Sequence, residues 1–145
     1  MPYNYVRGRF SACARKSDKV RKQLSIFLQN KIGRFTEVTN ILGQAGVDMQ
    51  AFTVSENSDF GILRLIVDDT DHAVEALRAA GFAVNTTDVV CLVCPDKPGA
   101  IAPYMNKLSE GGISIEYMYA FSQLGSAKVI IRPDNIALCE KLISE

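Results

Sequence analysis

The feature that most constrains this chain is a self-similarity at a spacing of 66 residues. Asn30-Lys31-Ile32-Gly33-Arg34-Phe35 returns as Asp96-Lys97-Pro98-Gly99-Ala100-Ile101. The same shift sets Leu24, Ile26 and Leu28 on Val90, Leu92 and Cys94, Leu42 on Leu108, and Gly46-Val47 on Gly112-Ile113. Within 145 residues that period means two copies of one unit. A unit of about 60 to 70 residues buries little core alone, so the copies should pack on each other or on a second chain, and a homodimer is a partner to expect.

Each copy reads the same way. Residues 23 to 29 alternate, with Leu24, Ile26 and Leu28 on one face and Ser25, Phe27 and Gln29 on the other, as a strand with one buried face does. After the loop, Phe35, Val38, Ile41, Leu42 and Ala45 recur at helical spacing, and Gly46 is placed to end the helix. A second strand runs from Val47 to about Val54, a third from Gly61 to Val67, and an acid-capped helix from His72 to Ala80. Residues 82 to 87 then lead toward a strand at Val89 to Cys94, which opens the second copy. That copy continues with a helix from Ala100 to Glu110, strands at Ser114 to Phe121 and Ala127 to Arg132, and a helix opened by Pro133-Asp134.

The order predicts an α+β fold of two tandem ferredoxin-like β-α-β-β-α-β units, with antiparallel sheets and the helices on one face. The first spans residues 23–87 and the second 88–145, which ends before its fourth strand. Either that strand is missing or another segment fills the edge. Residues 1–22 have no apolar period and carry seven Lys or Arg against Asp18 alone, so a basic, disordered arm is expected there.

Charge and composition narrow the function. Beyond residue 22 the chain has nine basic and fifteen acidic residues, an acidic body that suits no polyanion, although a basic arm could still touch one. The third strand, with Arg64 as its one basic residue, also lacks the repeated aromatic residues with which this fold stacks bases, so RNA binding is the weaker alternative. No apolar run approaches the roughly 20 residues of a membrane span, and with no apolar signal-peptide core the cytoplasm is the default. Cys91 and Cys94 have C-x-x-C spacing, but positions three apart on a strand point to opposite faces. His72 is the one histidine and has no companion catalytic motif. Neither an enzyme, a metal site nor a cofactor is expected.

The repeated loop carries the functional reading. A strand, a tight glycine loop and a helix start leave backbone N–H groups pointing outward with the helix dipole behind them, which suits a carboxylate. The glycines could equally serve only the turn. The pattern L-x-N-x-x-G-x-h followed by a helix ending in Gly-[Val/Ile]-x-[Met/Ile] resembles the ACT domain, the small-molecule regulatory module of amino-acid metabolic enzymes. Through its two tandem copies the resemblance covers residues 23–145. It implies two repeats side by side and a free amino acid held where one unit's loop meets the second-strand start of its partner. A further implied partner is a metabolic enzyme regulated in trans, with or without a ligand.

Carried over, the resemblance assigns ligand contacts to residues 30–35, namely Asn30, Lys31, Ile32, Gly33, Arg34 and Phe35, with Asp48 and Met49 at the strand start. In the second copy it assigns Asp96, Lys97, Pro98, Gly99, Ala100 and Ile101, with Ser114 and Ile115. Two sites then differ: Asn30 faces Ser114, and Asp96 faces Asp48. Two converging carboxylates call for cations, so a basic amino acid is the preferred ligand at the second.

Overall fold

The computed structural model describes residues 19–56 and 59–145, so the expectation of a disordered arm over residues 1–18 lies outside the described residues. The elements are β1 (Val20–Gln29), α1 (Arg34–Gln44), β2 (Met49–Glu56), β3 (Phe60–Val67), α2 (Thr70–Ala79), β4 (Ala83–Pro95), α3 (Ala102–Glu110), β5 (Ile115–Gln123), β6 (Ser126–Pro133) and α4 (Ile136–Ser144). Two β-α-β-β-α units are present, as the repeat implies.

The strands form one antiparallel sheet in the order β2-β3-β1-β4-β6-β5. Its helix-side face carries two cores. In the first unit Leu24, Ile26 and Leu28 of β1 and Leu63, Leu65 and Val67 of β3 meet Val38 and Leu42 of α1 and Ala73 and Leu77 of α2. In the second, Val90, Leu92 and Cys94 of β4 with Val129 and Ile131 of β6 meet Leu108 of α3 and Cys139 and Ile143 of α4. A third cluster draws on both units: Ala51, Ile66, Val89, Cys91 and Ile130, with Tyr119 and Phe121 packed against them. Side chains alternate along a strand, so Cys91 belongs to this shared cluster while Cys94 lies in the second helix-side core.

The join between the units differs from the expected pair of separate strands. Residues 83–95 are a single strand, β4. Its first part pairs with β1, from Phe27↔Ala83 to Val20↔Val90, and closes the first unit. Its last part pairs with β6, from Val90↔Ile131 to Pro95↔Ser126, and opens the second. By the strand order within a unit, a fourth strand of the second unit would lie on the other side of β4. That side is taken in part by the start of β1, up to Lys19, whose carbonyl accepts from the N–H of Cys91 at 2.6 Å. Among the described residues the second unit has no fourth strand of its own, and β1 serves both.

Two boundaries shift accordingly. Val20, Arg21 and Lys22 belong to β1 rather than to an arm, held by the β4 ladder and by the Lys22–Asp88 ion pair at 2.6 Å. Pro133 ends β6 opposite Ile115 instead of opening α4, whose N-cap is Asn135. The register shifts between Ile115 and Tyr117 at this end of the pairing, and proline is accommodated at such a bulge.

Candidate ligand site

The two loops are built alike, bond for bond. The N–H of Asn30 donates to Asp59 O at 3.4 Å and that of Asp96 to Gly125 O at 2.9 Å, so each loop is tied to the hairpin turn of its own unit. Arg34 N donates to Lys31 O and Ala100 N to Lys97 O, closing the same turn. Gly33 and Gly99 sit at φ 89° and 80°, a left-handed conformation that side chains resist, with open space where a Cβ would stand. The loop residues 30–33 and 96–99 are exposed, and Ile32 is fully so.

The helix starts differ by position within the unit. In α2 the Asp69 carboxylate accepts from His72 N at 3.2 Å, and in α4 the Asn135 side chain accepts from Leu138 N at 3.1 Å. In α1 and α3, behind Gly33 and Ile101, no side chain caps the helix. Neither start has a side-chain acceptor, although Arg34 N of α1 is taken by Lys31 O. In α3 Pro103 has no N–H and Tyr104 N is taken by Ile101 O, so the donors left are fewer at α3. The helix dipole favours an anion at both.

Two cavities adjoin these starts. One of about 420 Å³ beside α3 is lined by Pro95, Lys97, Pro98, Gly99, Tyr104 and Lys107, among others. It brings together the second loop's Lys97, Pro98, Gly99 and Ala100 with Lys107. The other, of about 270 Å³, is lined by Phe27, Gln29, Arg34, Phe60 and the turn at Gly81-Phe82. Arg34 is held there by Glu37 at 3.1 Å and stands 6.0 Å from the Phe82 ring centre. Phe35 points to β2 instead, with its ring 6.0 Å from that of Phe52.

The strand starts lie elsewhere. Asp48 and Ser114 are exposed and engaged identically: Asp48 N donates to Asp68 Oδ1 and Asp68 N to Asp48 O, while Ser114 N donates to Asp134 Oδ1 and Asp134 N to Ser114 O. Neither lines the two cavities, nor do the neighbouring Met49 and Ile115. Carried along the strand registers, Ser114 comes level with Gln23, seven residues before Asn30, and Asp48 comes level with Val89, seven before Asp96. At strand spacing this is on the order of 20 Å. Within one chain the register thus supports neither an Asn30–Ser114 site nor two carboxylates converging at Asp96 and Asp48.

Among the described residues no group of three or more His, Cys, Asp or Glu could hold a metal ion. His72, exposed near the start of α2, makes its ring contact through Nε2 with Ala45 O at 3.0 Å, tying α2 to the end of α1. Among the described residues no helix is long and apolar enough to cross a membrane.

A polar group that the strand periodicity did not single out lies on the shared face. Gln23 is fully buried, donating from Nε2 to Tyr117 Oη at 2.6 Å and accepting from Tyr119 Oη at 2.8 Å. Arg64 lies over the Tyr117 ring, 3.8 Å from its centre. Burial pushes the Tyr119 phenol well above its ordinary value; Tyr117 adds to the rise and Arg64 partly offsets it. The signal was in the repeat: Gln23 and Arg64 stand where the second copy has Val89 and Ile130, and Tyr117 where the first has Ala51.

Comparison with known proteins agrees with the architecture. The family described as an ACT domain pair matches residues 19–145. A crystal structure of a Bacteroides thetaiotaomicron protein is 51% identical, with a TM-score of 0.83 over 86% of this chain and 86% of that one. The ligand-free regulatory subunit of aspartate kinase from Thermus thermophilus is 16% identical, with a TM-score of 0.64 over 87% of this chain and 91% of that one, a likeness of fold. Among curated proteins, 4-hydroxy-tetrahydrodipicolinate synthase of Pelodictyon phaeoclathratiforme is 34% identical over 88 residues, 56% of this chain. The match spans 29% of that enzyme's length.

Proposed function

The chain belongs to the family of ACT domain pairs, and on that premise we propose that it is a regulatory sensor that binds a free amino acid and acts on a metabolic enzyme in trans. The observation that carries this reading is the contrast between helix starts: α2 and α4 are capped by their own side chains, whereas α1 and α3, behind the glycine loops, are not. An amino acid's carboxylate fits such a start, where backbone donors and the helix dipole act together. At α3 the adjoining cavity adds the positive charges of Lys97 and Lys107.

The ammonium end needs acceptors. In a single chain the exposed carboxylate or hydroxyl of Asp48 or Ser114 lies about seven residues along the sheet from the other unit's loop. We infer that a second copy supplies this wall, so that ligand binding and self-association rise together. A basic side chain on the ligand follows only where Asp48 of that second copy reaches Asp96, and it predicts weaker selectivity in Asp96→Asn.

Thermal melts against the twenty amino acids test the reading. A ligand that binds only the folded state raises the melting temperature with its concentration. Gly99→Val, which costs about 1–2 kcal/mol through the positive φ, should remove that rise in a protein that still folds. A flat response to all twenty in the unaltered chain overturns the proposal.

A further inference from the structure

Where β2 and β5 approach each other across the shared face, a cleft of about 280 Å³ opens between Gln50–Thr53 and Tyr119–Phe121. It belongs to neither glycine loop. Its walls include Tyr119 and Phe121, and Ala51 of the shared apolar cluster stands among them, while Phe52, which also lines it, turns its ring to Phe35 of α1. No charged side chain lines it. Gln50, which does, holds its Oε1 buried, with no hydrogen bond from any described group.

The repeat explains why the cleft is there. The position 66 residues after Ala51 is Tyr117. There a phenol ring fills the space, covered by the Arg64 guanidinium at 3.8 Å and anchored by its hydroxyl to Gln23 at 2.6 Å. At Ala51 the chain supplies a methyl group in place of that ring, and Ile130 in place of Arg64. The seam thus has one half filled by an internal aromatic side chain and one half with aromatic walls, no ring of its own and an unused acceptor.

We propose that this cleft is a second binding site, for a small neutral aromatic molecule bearing an N–H or O–H donor, of the phenol or indole class. The ring takes the place that Tyr117 occupies in the other repeat, against Tyr119 and Phe121, and its donor satisfies Gln50 Oε1. A buried acceptor selects strongly for a ligand that fills it, because an analogue without the donor leaves it unpaired. Lys128 Nζ stands 6.0 Å from the Phe121 ring centre and no carboxylate lines the cleft, so a cationic group would enter without a counter-charge and is disfavoured at the ring position. The inference does not depend on the loop reading.

The chain has no tryptophan, so indole emission reports binding directly. Titrating full-length protein into indole should give a saturable blue shift, and 1-methylindole, which lacks the N–H, should bind at least tenfold more weakly. In Gln50→Leu the two should bind equally. Ala51→Leu, which fills the cleft, should abolish the shift, and Gly99→Val should leave it intact. The proposal is overturned by no saturable shift, by equal affinity of the two indoles in the unaltered chain, by a shift that survives Ala51→Leu in folded protein, or by its loss in Gly99→Val. Should Ala51→Leu fail to fold, the comparison of indoles in Gln50→Leu decides.

Discussion

The hydroxyl of Tyr119 donates to Oε1 of Gln23 at 2.8 Å, joining the second unit's β5 to the first unit's opening strand across 96 residues of sequence. Gln23 is fully buried, so this bond and its partner to Tyr117 are made away from water, where a lost partner is expensive. Gln23→Leu should lower stability by about 2–4 kcal/mol, because it leaves two phenol hydroxyls without their partner. Tyr119→Phe should cost less, and the double variant less than the sum of the two. Urea unfolding of the four proteins measures this, and strict additivity would show that the side chains do not interact.

A chain that begins at Gln23 should melt roughly 5 °C below one that begins at Lys19. The shorter chain loses the pairs of Val20, Arg21 and Lys22 with Val90, Val89 and Asp88, and the Lys22–Asp88 ion pair. The ion pair is exposed and contributes little by itself, so the loss comes mainly from the ladder and the edge of β4. Equal melting temperatures would mean that this end of β1 adds nothing.

Those three residues also mark where the sequence stopped being legible. The 66-residue period and the strand and helix patterns located the elements to within a few residues, because alternation and helical spacing are written locally. The role of Val20 to Lys22 is not local: their ladder partners are residues 88–90, and residues 1–22 have no apolar period. Gln23 is the same case. Alternation places it opposite Leu24, on a face that would be solvated in an isolated unit, and only the return of β5 covers it. The loops were legible as a repeated turn, and the structure repeats it bond for bond. Which strand start faces which loop was not, since that depends on how far one unit is slid along the other, a quantity set by the shared strands.

Stability should fall as the pH rises from about 9 to 11. Burial, with a smaller push from Asp134, raises the Cys139 thiol from 9.0 to about 11. The unfolded chain therefore loses its thiol proton first, and the proton held by the fold becomes a cost to stability through that window. The buried Tyr119 phenol, raised above its ordinary 10.0, adds a loss of the same sign from pH 10 upward. Urea midpoints at pH 8 and 10.5 should differ less in Cys139→Ala than in the unaltered chain. An equal difference in both would exclude the thiol as a source.

Asp69→Ala and Asn135→Ala should each cost about 1 kcal/mol, the usual value of a lost helix cap. The two caps occupy equivalent positions 66 residues apart in different units, so their costs should add in the double variant. Chemical unfolding of the three variants and the unaltered chain checks both the magnitude and the sum.

The ladder between β1 and β4 has a spatial consequence. The two strands run antiparallel side by side, and each passes directly into one glycine loop, β1 into residues 30–33 and β4 into residues 96–99. The loops therefore hang from opposite ends of one two-stranded ribbon. That pair is the middle of the six-stranded sheet, flanked by β3 and β6, so the two loops are separated by the length of the ladder and joined by one continuous run of backbone hydrogen bonds.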